Sequence, residues 1–228
     1  MGSLKDYFHG LADGTQNFFS SPQVGETHIF TDGSCFAEAE NSLFHTAAWA
    51  TVDASTGRVI AAAPLHGLPQ TIGRAELVAI IAGLEWCHRF NVVAHFWCDS
   101  LFVAQGLATL VALGDIPAHW EHFDLWLRAL ALLELVPLGT QHIHWIPSHL
   151  DPLLCESPFE SWVAHWNAMA DRVAVQVNQQ RSSGFWQLLS EAQETDGVWL
   201  ARIAAVRQFY FKVAEARSLV EPVPLISR

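Results

Sequence analysis

The 228-residue chain is 51% hydrophobic and 15% charged, which supplies one sizeable core in too little length for two ordinary domains. Its 12 Lys and Arg against 23 Asp and Glu give a formal net charge of −11, which argues against a free-standing protein that holds nucleic acid by bulk electrostatics. No apolar run approaches the roughly 18 to 20 residues of a membrane helix, and residues 1–10 lack the order of a signal peptide. We therefore expect a soluble intracellular protein of the cytoplasm or nucleus, not a secreted one.

The N-terminal third of the chain predicts three strands after an irregular leader. Residues 1–26 show no sustained period and contain Gly, Ser, Pro and Asn, which predicts a weakly structured segment. Three runs rich in β-branched and aromatic residues follow at 27–36, 44–52 and 58–65, with a hairpin turn signal at 53–57. These runs predict an antiparallel meander.

The middle of the chain alternates between helical and strand periods. From 72 to 90 the apolar positions recur at spacings of three and four, which indicates a helix with one buried face. Residues 92–98 are a continuous apolar strand, and because a helix connects this strand to the meander, it should run parallel to an earlier strand. Two helices, a fifth strand and a last helix are then predicted at 101–113, 123–135, 141–146 and 161–180.

Residues 27–180 are therefore predicted to form one α/β domain, in which helices flank a five-stranded mixed sheet of three antiparallel and two parallel strands. Residues 181–228 are predicted to be a C-terminal helical extension, with helices at 185–192 and 198–217. Its apolar stripe, which includes Trp199, Ile203 and Val206, is typical of a helix that packs against the rest of the protein, and otherwise of a partner surface.

Cysteines and histidines predict no metal site of their own. The cysteines lack a Cys-x-x-Cys pair and zinc-ligand spacing, so we expect reduced, mostly buried thiols at Cys35, Cys87, Cys98 and Cys155. Most of the twelve histidines fall singly on apolar stretches, where a hydrogen-bonded core or surface histidine is the more common case.

Four carboxylates interrupt apolar segments where strands end or helices begin: Asp32, Glu76, Asp99 and Asp171. Taken singly, each is more often a helix cap or a turn residue, and Asp99 stands where it would cap the helix at 101–113. If the first and fourth strands are parallel neighbours, Asp32 and Asp99 lie side by side, and the helix that carries Glu76 crosses the same end of the sheet.

Carboxylates at that separation repel one another strongly unless cations hold them. Oxygen ligands without thiolates or several imidazoles favour Mg²⁺ or Mn²⁺. Two such ions about 4 Å apart form the clamp for in-line attack of water on a phosphodiester. The carboxylates therefore predict a two-metal site for phosphodiester hydrolysis.

Five segments resemble the successive motifs of type 1 ribonuclease H domains, in the order of that family and with compatible spacing. The resemblance covers about residues 27 to 178 and rests on Thr31-Asp32-Gly33-Ser34, Gly73-Arg74-Ala75-Glu76-Leu77, Cys98-Asp99-Ser100, Trp145-Ile146-Pro147-Ser148-His149 and Asn167-Ala168-Met169-Ala170-Asp171.

The resemblance implies hydrolysis of the RNA strand of an RNA/DNA hybrid, leaving 3′-hydroxyl and 5′-phosphate ends. Asp32 is then expected to bridge two Mg²⁺ ions, for which Mn²⁺ can substitute. Glu76 and Asp99 are expected to hold the metal on the leaving-group side, and Asp171 the metal that activates water. His149, on the loop after the fifth strand, is expected to assist proton transfer or product release.

The resemblance also implies contacts to the substrate. Main-chain groups near Cys35 and the Gly73/Arg74 turn are expected to reach 2′-hydroxyls, Thr71 a DNA phosphate and Asn167 the substrate backbone. The full set of substrate-binding candidates is Ser34, Cys35, Thr71, Gly73, Arg74 and Asn167.

Two segments depart from the family pattern. Many family members have a basic protrusion that grips DNA, but residues 113–122 are short and contain no Lys or Arg. The loop at 150–160 is long and acidic, and we interpret it as a solvated loop in preference to a lid. Both features suit a domain of a reverse-transcribing element whose fused or associated reverse transcriptase domains supply most of the affinity for the hybrid.

Two alternatives stay open at this point. One is a non-catalytic scaffold of the same fold that binds protein through its acidic surface and C-terminal helices. The other is a 3′–5′ exonuclease of the same fold, which would place an Asp-x-Glu in the first strand, where this chain has Ser34 two residues after Asp32.

Overall fold

The computed structural model describes residues 26–37, 42–139, 142–150, 154–181 and 183–218. The chain divides into two compact units, Met1–Gln180 and Arg181–Arg228. The predicted leader, apart from Glu26, lies outside the described residues. Among those that are described, no helix is both long enough and apolar enough to cross a membrane.

The first unit contains a five-stranded mixed sheet, which confirms the predicted fold class. The strand order is β3-β2-β1-β4-β5, in which β1, β2 and β3 are antiparallel and β4 and β5 run parallel to β1. The strands are β1 Thr27–Phe36, β2 Thr46–Asp53, β3 Arg58–Pro64, β4 Ala94–Cys98 and β5 Ile143–Trp145. The central strand β1 therefore has an antiparallel neighbour on one side and a parallel neighbour on the other.

Four helices belong to this unit: α1 Ile72–Phe90, α2 Leu101–Leu113, α3 Phe123–Leu133 and α4 Pro158–Gln179. Three of them begin at a hydroxyl cap, in which the side chains of Thr71, Ser100 and Ser157 accept from main-chain N–H groups of the first turn. Gly114 ends α2 in the left-handed conformation, φ 66°, which glycine adopts without a steric penalty.

Two apolar clusters fill the faces of the sheet. Ile29 and Phe96 pack with Leu77 and Ile80 of α1, whereas Phe30 packs with residues of α4. Because neighbouring residues on a strand point to opposite faces, α1 and α4 cover opposite sides of β1. Trp126 is fully buried in the α1 cluster.

Some predicted boundaries were wrong for local reasons. β4 begins at Ala94 because Asn91 adopts a left-handed C-cap of α1 and the Val92 N–H is bonded back to Cys87. α4 begins at Pro158, three residues before the predicted start, because Ser157 caps the helix and Pro158 suits its first position. The predicted acidic loop therefore loses its last three residues to the helix, and its residues 151–153 lie outside the described part.

Four histidines cluster on the α4 face of the sheet, although His28 and His95 are distant in the sequence from each other and from the pair His142 and His144. The His95 Nδ1 atom is 2.9 Å from His144 Nε2, and the His95 ring also contacts the rings of His28 and His142. Burial is the main cause that lowers the pKa of His28, His95 and His144, the last to about 3. The three rings are therefore neutral near pH 7.

The described part of the second unit contains one continuous helix, α5, Ser183–Ser218. The prediction of two helices was wrong, because the chain passes through Gly197 without a break. A single glycine inside a helix costs only about 1 kcal/mol relative to alanine, which the neighbouring helix-forming residues offset.

None of the four cysteines forms a disulfide, as predicted.

Candidate active site

The register of the two central parallel strands brings two of the acidic residues together. Thr31 of β1 lies opposite Cys98 of β4, so the next residue on each strand, Asp32 and Asp99, occupies the same edge. Asp32 is inside β1 and 5% exposed, whereas Asp99 follows the end of β4. This is the side-by-side arrangement that parallel pairing predicted.

Glu76 reaches the same point from the second turn of α1. The Gly33 N–H donates to Glu76 Oε1 over 2.9 Å. A Cβ atom on Gly33 would lie 2.9 Å from the Glu76 nitrogen and 3.0 Å from Ala75 Cβ. Only a glycine therefore lets α1 approach β1 closely enough to bring Glu76 beside Asp32.

The three carboxylates form a compact oxygen cluster. Among the described residues, Asp32, Glu76 and Asp99 are the group whose ligand atoms all lie within 4.8 Å of one another. Glu76 Oε2 is buried, and among the described residues no N–H or alcohol hydroxyl group donates to it. An acceptor atom in that position is costly to bury unless a cation or a proton satisfies it.

The electrostatics of the cluster follow from burial and repulsion. Burial, followed by repulsion from Glu76, raises the pKa of Asp32 to about 11. Burial, followed by repulsion from Asp99, raises the pKa of Glu76 to about 8. In the absence of a cation the cluster therefore retains protons at neutral pH. This behaviour is expected of carboxylates that lie close enough together to bind one cation jointly.

Asp99 is held by two donors that leave its carboxylate pointed at the cluster. Asn167 Nδ2 donates to Asp99 Oδ2 over 3.4 Å, and Trp145 Nε1 donates to the Asp99 carbonyl over 2.9 Å. The helix cap expected of Asp99 is supplied instead by Ser100, whose Oγ accepts from Val103 N over 3.4 Å. The structure thereby corrects the capping alternative for Asp99, because the neighbouring hydroxyl takes that role.

Asp171 and His149 approach the cluster from the other side. Asp171 lies on α4 four residues after Asn167, and it lines the same cleft without joining the three close carboxylates. His149 also lines the cleft, on the loop after β5, and adopts a left-handed backbone with φ 54°. The four predicted carboxylates and the predicted histidine therefore share one cleft.

The cleft has a volume of about 550 Å³ and extends away from the carboxylates along the start of α1. Thr71 and Gly73 line this arm together with Phe102, Glu121 and His122. Of the other substrate-binding candidates, Ser34, Cys35, Arg74 and Asn167 are not among the described residues that line it. The site thus consists of an acidic centre and one adjoining arm.

Arg74 is occupied by an ion pair. Its guanidinium donates two hydrogen bonds to Asp124 at the start of α3, over 2.9 and 2.6 Å. The Asp124 carboxylate raises the pKa of Arg74, and Arg74 in turn lowers the pKa of Asp124. The pair joins the first turns of α1 and α3, so the Arg74 side chain supports the arm of the cleft.

His122 was not predicted as a site residue. Its backbone is left-handed, φ 59°, and its Nε2 atom lies 3.4 Å from the Thr71 hydroxyl. Burial and then the charge of Arg74 lower the pKa of His122. Nothing in the sequence separates His122 from the other histidines, because its role depends on the turn that brings α3 to Thr71.

Gln70 was also not predicted, although it fixes the segment before α1. Its Oε1 atom accepts from the Ala47 N–H over 2.9 Å, and its Nε2 atom donates to the Leu65 carbonyl over 3.1 Å. Cys35 Sγ lies 3.5 Å from the Gln70 carbonyl. These bonds tie the segment that carries Thr71 to β1 and β2.

Comparisons with known proteins agree with this architecture. A family model described as RNase H matches residues 25–179, which is more than half of the chain. No curated protein matches the sequence.

Several solved structures match in fold at under 20% sequence identity. A mutant of the prototype foamy virus protease–reverse transcriptase matches with a TM-score of 0.52 and 18% identity over 75% of this chain. That match takes in 23% of the viral protein, so this chain spans about a quarter of its length. The PFV RNase H domain matches with a TM-score of 0.51 and 18% identity, over 68% of this chain and 94% of that domain. A foamy viral protease–reverse transcriptase in complex with dsDNA matches with a TM-score of 0.51 and 19% identity, over 69% and 97% of the two chains.

Proposed function

Because this chain belongs to the RNase H family, we propose that it is a metal-dependent endonuclease that hydrolyses the RNA strand of RNA/DNA hybrids. The observation that carries the proposal is the convergence of Asp32, Glu76 and Asp99, with oxygens within 4.8 Å of one another. Three buried carboxylates that repel one another lower the stability of the fold unless a bound ligand offsets the repulsion. A domain that served only as a scaffold would gain nothing from this arrangement.

The donor set fits hard divalent cations. All the converging atoms are carboxylate oxygens, and the buried Glu76 Oε2 atom has no N–H or alcohol hydroxyl donor in the part of the chain that the structure describes. Such a set favours Mg²⁺, for which Mn²⁺ can substitute. Two bound cations would supply an activated water and would stabilise the charge that develops on the leaving oxygen. Asp32, Glu76 and Asp99 would hold one cation, and Asp32 with Asp171 the second.

The remaining residues of the centre orient the carboxylates and move protons. Asn167 and Trp145 fix the side chain and main chain of Asp99 through the hydrogen bonds described above. His149 lines the cleft from the loop after β5, where its imidazole can accept or donate a proton. We therefore assign His149 to proton transfer or product release.

The arm of the cleft would hold the rest of the hybrid. Thr71 and His122 offer a hydroxyl and an imidazole 3.4 Å apart, which suits one phosphate of the DNA strand. Gly73 offers main-chain groups at the start of α1, where they can meet a 2′-hydroxyl. Phe102 presents an apolar ring in the same arm and suits contact with a sugar or base face.

The charge of the chain indicates that hybrid binding depends on a partner. Residues 113–122 contain no Lys or Arg, Arg74 is paired with Asp124, and the net charge is −11. Phosphate contacts from basic residues supply most of the non-specific affinity for nucleic acid. We therefore propose that fused or associated reverse transcriptase domains supply it by effective concentration.

The test is cleavage of a labelled RNA/DNA hybrid at low salt with Mg²⁺ or Mn²⁺. We expect metal-dependent cutting of the RNA strand alone, no cutting of duplex RNA or duplex DNA, and loss of cutting in Asp99→Asn. Glu134→Gln, which removes an exposed carboxylate at the C-terminal end of α3, is the matched control and should cut as the wild type does. Absence of cutting at high protein concentration in both metals would favour the scaffold, or a domain that is inactive without its partner.

A further inference from the structure

Helix α5 presents large apolar side chains to solvent along most of its length. It spans 36 residues, which at about 1.5 Å per residue makes it about 54 Å long. Trp199 is 57% exposed, and Ile203 and Val206 are 46% and 54% exposed. Helices in proteins gain most of their stability from packing one apolar face, so exposure on this scale marks an interaction surface.

Five of the apolar residues share one face of the helix, and other exposed apolar residues, Val198 and Leu200 among them, lie to either side of that face. Leu188, Ala192, Trp199, Ile203 and Val206 are separated by four, seven, four and three residues, which are the spacings of side chains that lie above one another. We call these five residues the apolar seam. Ser190, Ala201 and Gln208 lie on the opposite face.

Charge is divided between the two halves of α5. The first half carries Glu191, Glu194 and Asp196 and no Lys or Arg. The second half carries one acidic residue, Glu215, against four basic residues, Arg202, Arg207, Lys212 and Arg217, so it is basic on balance. The helix dipole does not account for this division, because its influence falls off within the first turn and Glu191 is already the ninth residue of the helix. The division therefore indicates a partner with the reverse order of charge.

A second copy of α5 in the antiparallel direction has that order. An antiparallel pair places the acidic half of each helix against the basic half of the other, whereas a parallel pair would align like charges. The change of sign falls between Asp196 and Arg202, and Trp199 of the apolar seam lies at its midpoint. A two-fold axis near Trp199 would therefore bury the seam and match the charges at once, as an interface of identical patches requires.

We propose that α5 is a self-association element through which two copies of this chain pair in antiparallel fashion around Trp199. The inference does not depend on the nuclease activity, because it rests on the seam and the charges of α5 alone.

The first test is the mass of the full chain in solution, measured by light scattering over a dilution series. We expect twice 25.3 kDa at low salt, with dissociation on dilution. Trp199→Glu/Ile203→Glu should weaken the dimer by about tenfold or more, because it places carboxylates in the seam. Ala201→Glu/Gln208→Glu adds the same charges to the opposite face and should leave the mass unchanged. A mass of one chain throughout, or equal weakening by both variants, would overturn the proposal.

The second test measures the direction of the pair without any glutamate substitution, so it does not depend on whether the glutamate variants fold. With Cys35 and Cys155 replaced by serine, Ala192→Cys and Val206→Cys are oxidised separately and as an equimolar mixture. An antiparallel pair crosslinks only in the mixture, because positions 192 and 206 lie symmetrically about Trp199. A parallel pair would crosslink each variant with itself, which would refute the antiparallel arrangement.

Discussion

Replacement of Gly33 by alanine places a methyl group between β1 and the first turns of α1. The new Cβ would lie 2.9 Å from the Glu76 nitrogen, 3.0 Å from Ala75 Cβ and 3.2 Å from the Ile72 carbonyl. Two of these three atoms are main chain, so α1 has to move away by roughly half an ångström to restore ordinary contact at about 3.5 Å. Overpacking of this kind costs about 1–3 kcal/mol.

The same movement lengthens the bond from the Gly33 N–H to Glu76 Oε1. Because the pKa of Glu76 is raised to about 8, its carboxyl is largely neutral near pH 7 without a cation, and a neutral hydrogen bond contributes about 0.5–1.5 kcal/mol. The total loss in free energy of unfolding is therefore about 1.5–4.5 kcal/mol. Most domains have stabilities of about 5–15 kcal/mol, so Gly33→Ala should still fold. Because Glu76 would be misplaced, we expect kcat/KM for hybrid cleavage to fall by about ten- to a hundredfold.

The assays are urea unfolding followed by circular dichroism, and cleavage of a labelled hybrid at saturating Mg²⁺. Gly197→Ala is the matched control, because a Cβ at that position meets no atom within 4 Å. It should leave cleavage unchanged and stabilise α5 by about 0.5–1 kcal/mol. A Gly33→Ala protein with wild-type stability and wild-type cleavage would show that the close approach of α1 to β1 does not position Glu76.

Three further substitutions test other features of the molecule. His144→Phe removes an imidazole whose folded pKa, about 3, lies below the unfolded value of about 6.5. A group with a lowered folded pKa leaves stability unchanged above about pH 6.5 and lowers it as the pH falls below that value. At about 1.36 kcal/mol per pH unit, the variant should gain about 2.7 kcal/mol relative to wild type by about pH 4.5 in urea titrations. A difference between the two proteins that does not change with pH would contradict this reasoning. Trp145→Phe removes the N–H that donates to the Asp99 carbonyl. The variant should bind Mn²⁺ severalfold more weakly and lose only about 1 kcal/mol in free energy of unfolding. An unchanged affinity for Mn²⁺ in a titration would refute the positioning role of Trp145. His122→Gly removes the imidazole, and glycine adopts the left-handed backbone of this position without strain. We expect KM for the hybrid to rise and kcat to stay constant in steady-state kinetics. A fall in kcat alone would instead show that His122 takes part in the chemical step.

The sequence predicts most of the first unit because its signals are local. Both boundaries of β1, α1 and α2 agree with the predicted ranges. The signals that set these boundaries, apolar periods and hydroxyl caps, lie in the local sequence of each element. The parallel pairing of β1 with β4 follows from one crossover helix. That pairing places Asp32 beside Asp99, which is why the acidic centre is accessible to sequence reasoning.

Contacts between distant residues explain what the sequence does not predict. The ion pair of Arg74 with Asp124 and the anchoring of Gln70 on Ala47 connect segments that no local period relates. The position of His122 beside Thr71 depends on the turn before α3. Helix α5 continues through Gly197 because the helix propensity of the neighbouring residues outweighs the tendency of one glycine to break the helix.

The placement of Asp32 on β1 also determines how motion is distributed around the cleft. β1 is hydrogen-bonded on both edges and covered on both faces, so its amides should exchange with solvent only when the whole unit opens. Thr71, His122 and His149 lie at helix ends or on loops, which open locally at much lower cost. The acidic centre is thus built on a strand whose amides should exchange slowly, while the residues that would meet a long and variable nucleic acid can adjust without disturbing it.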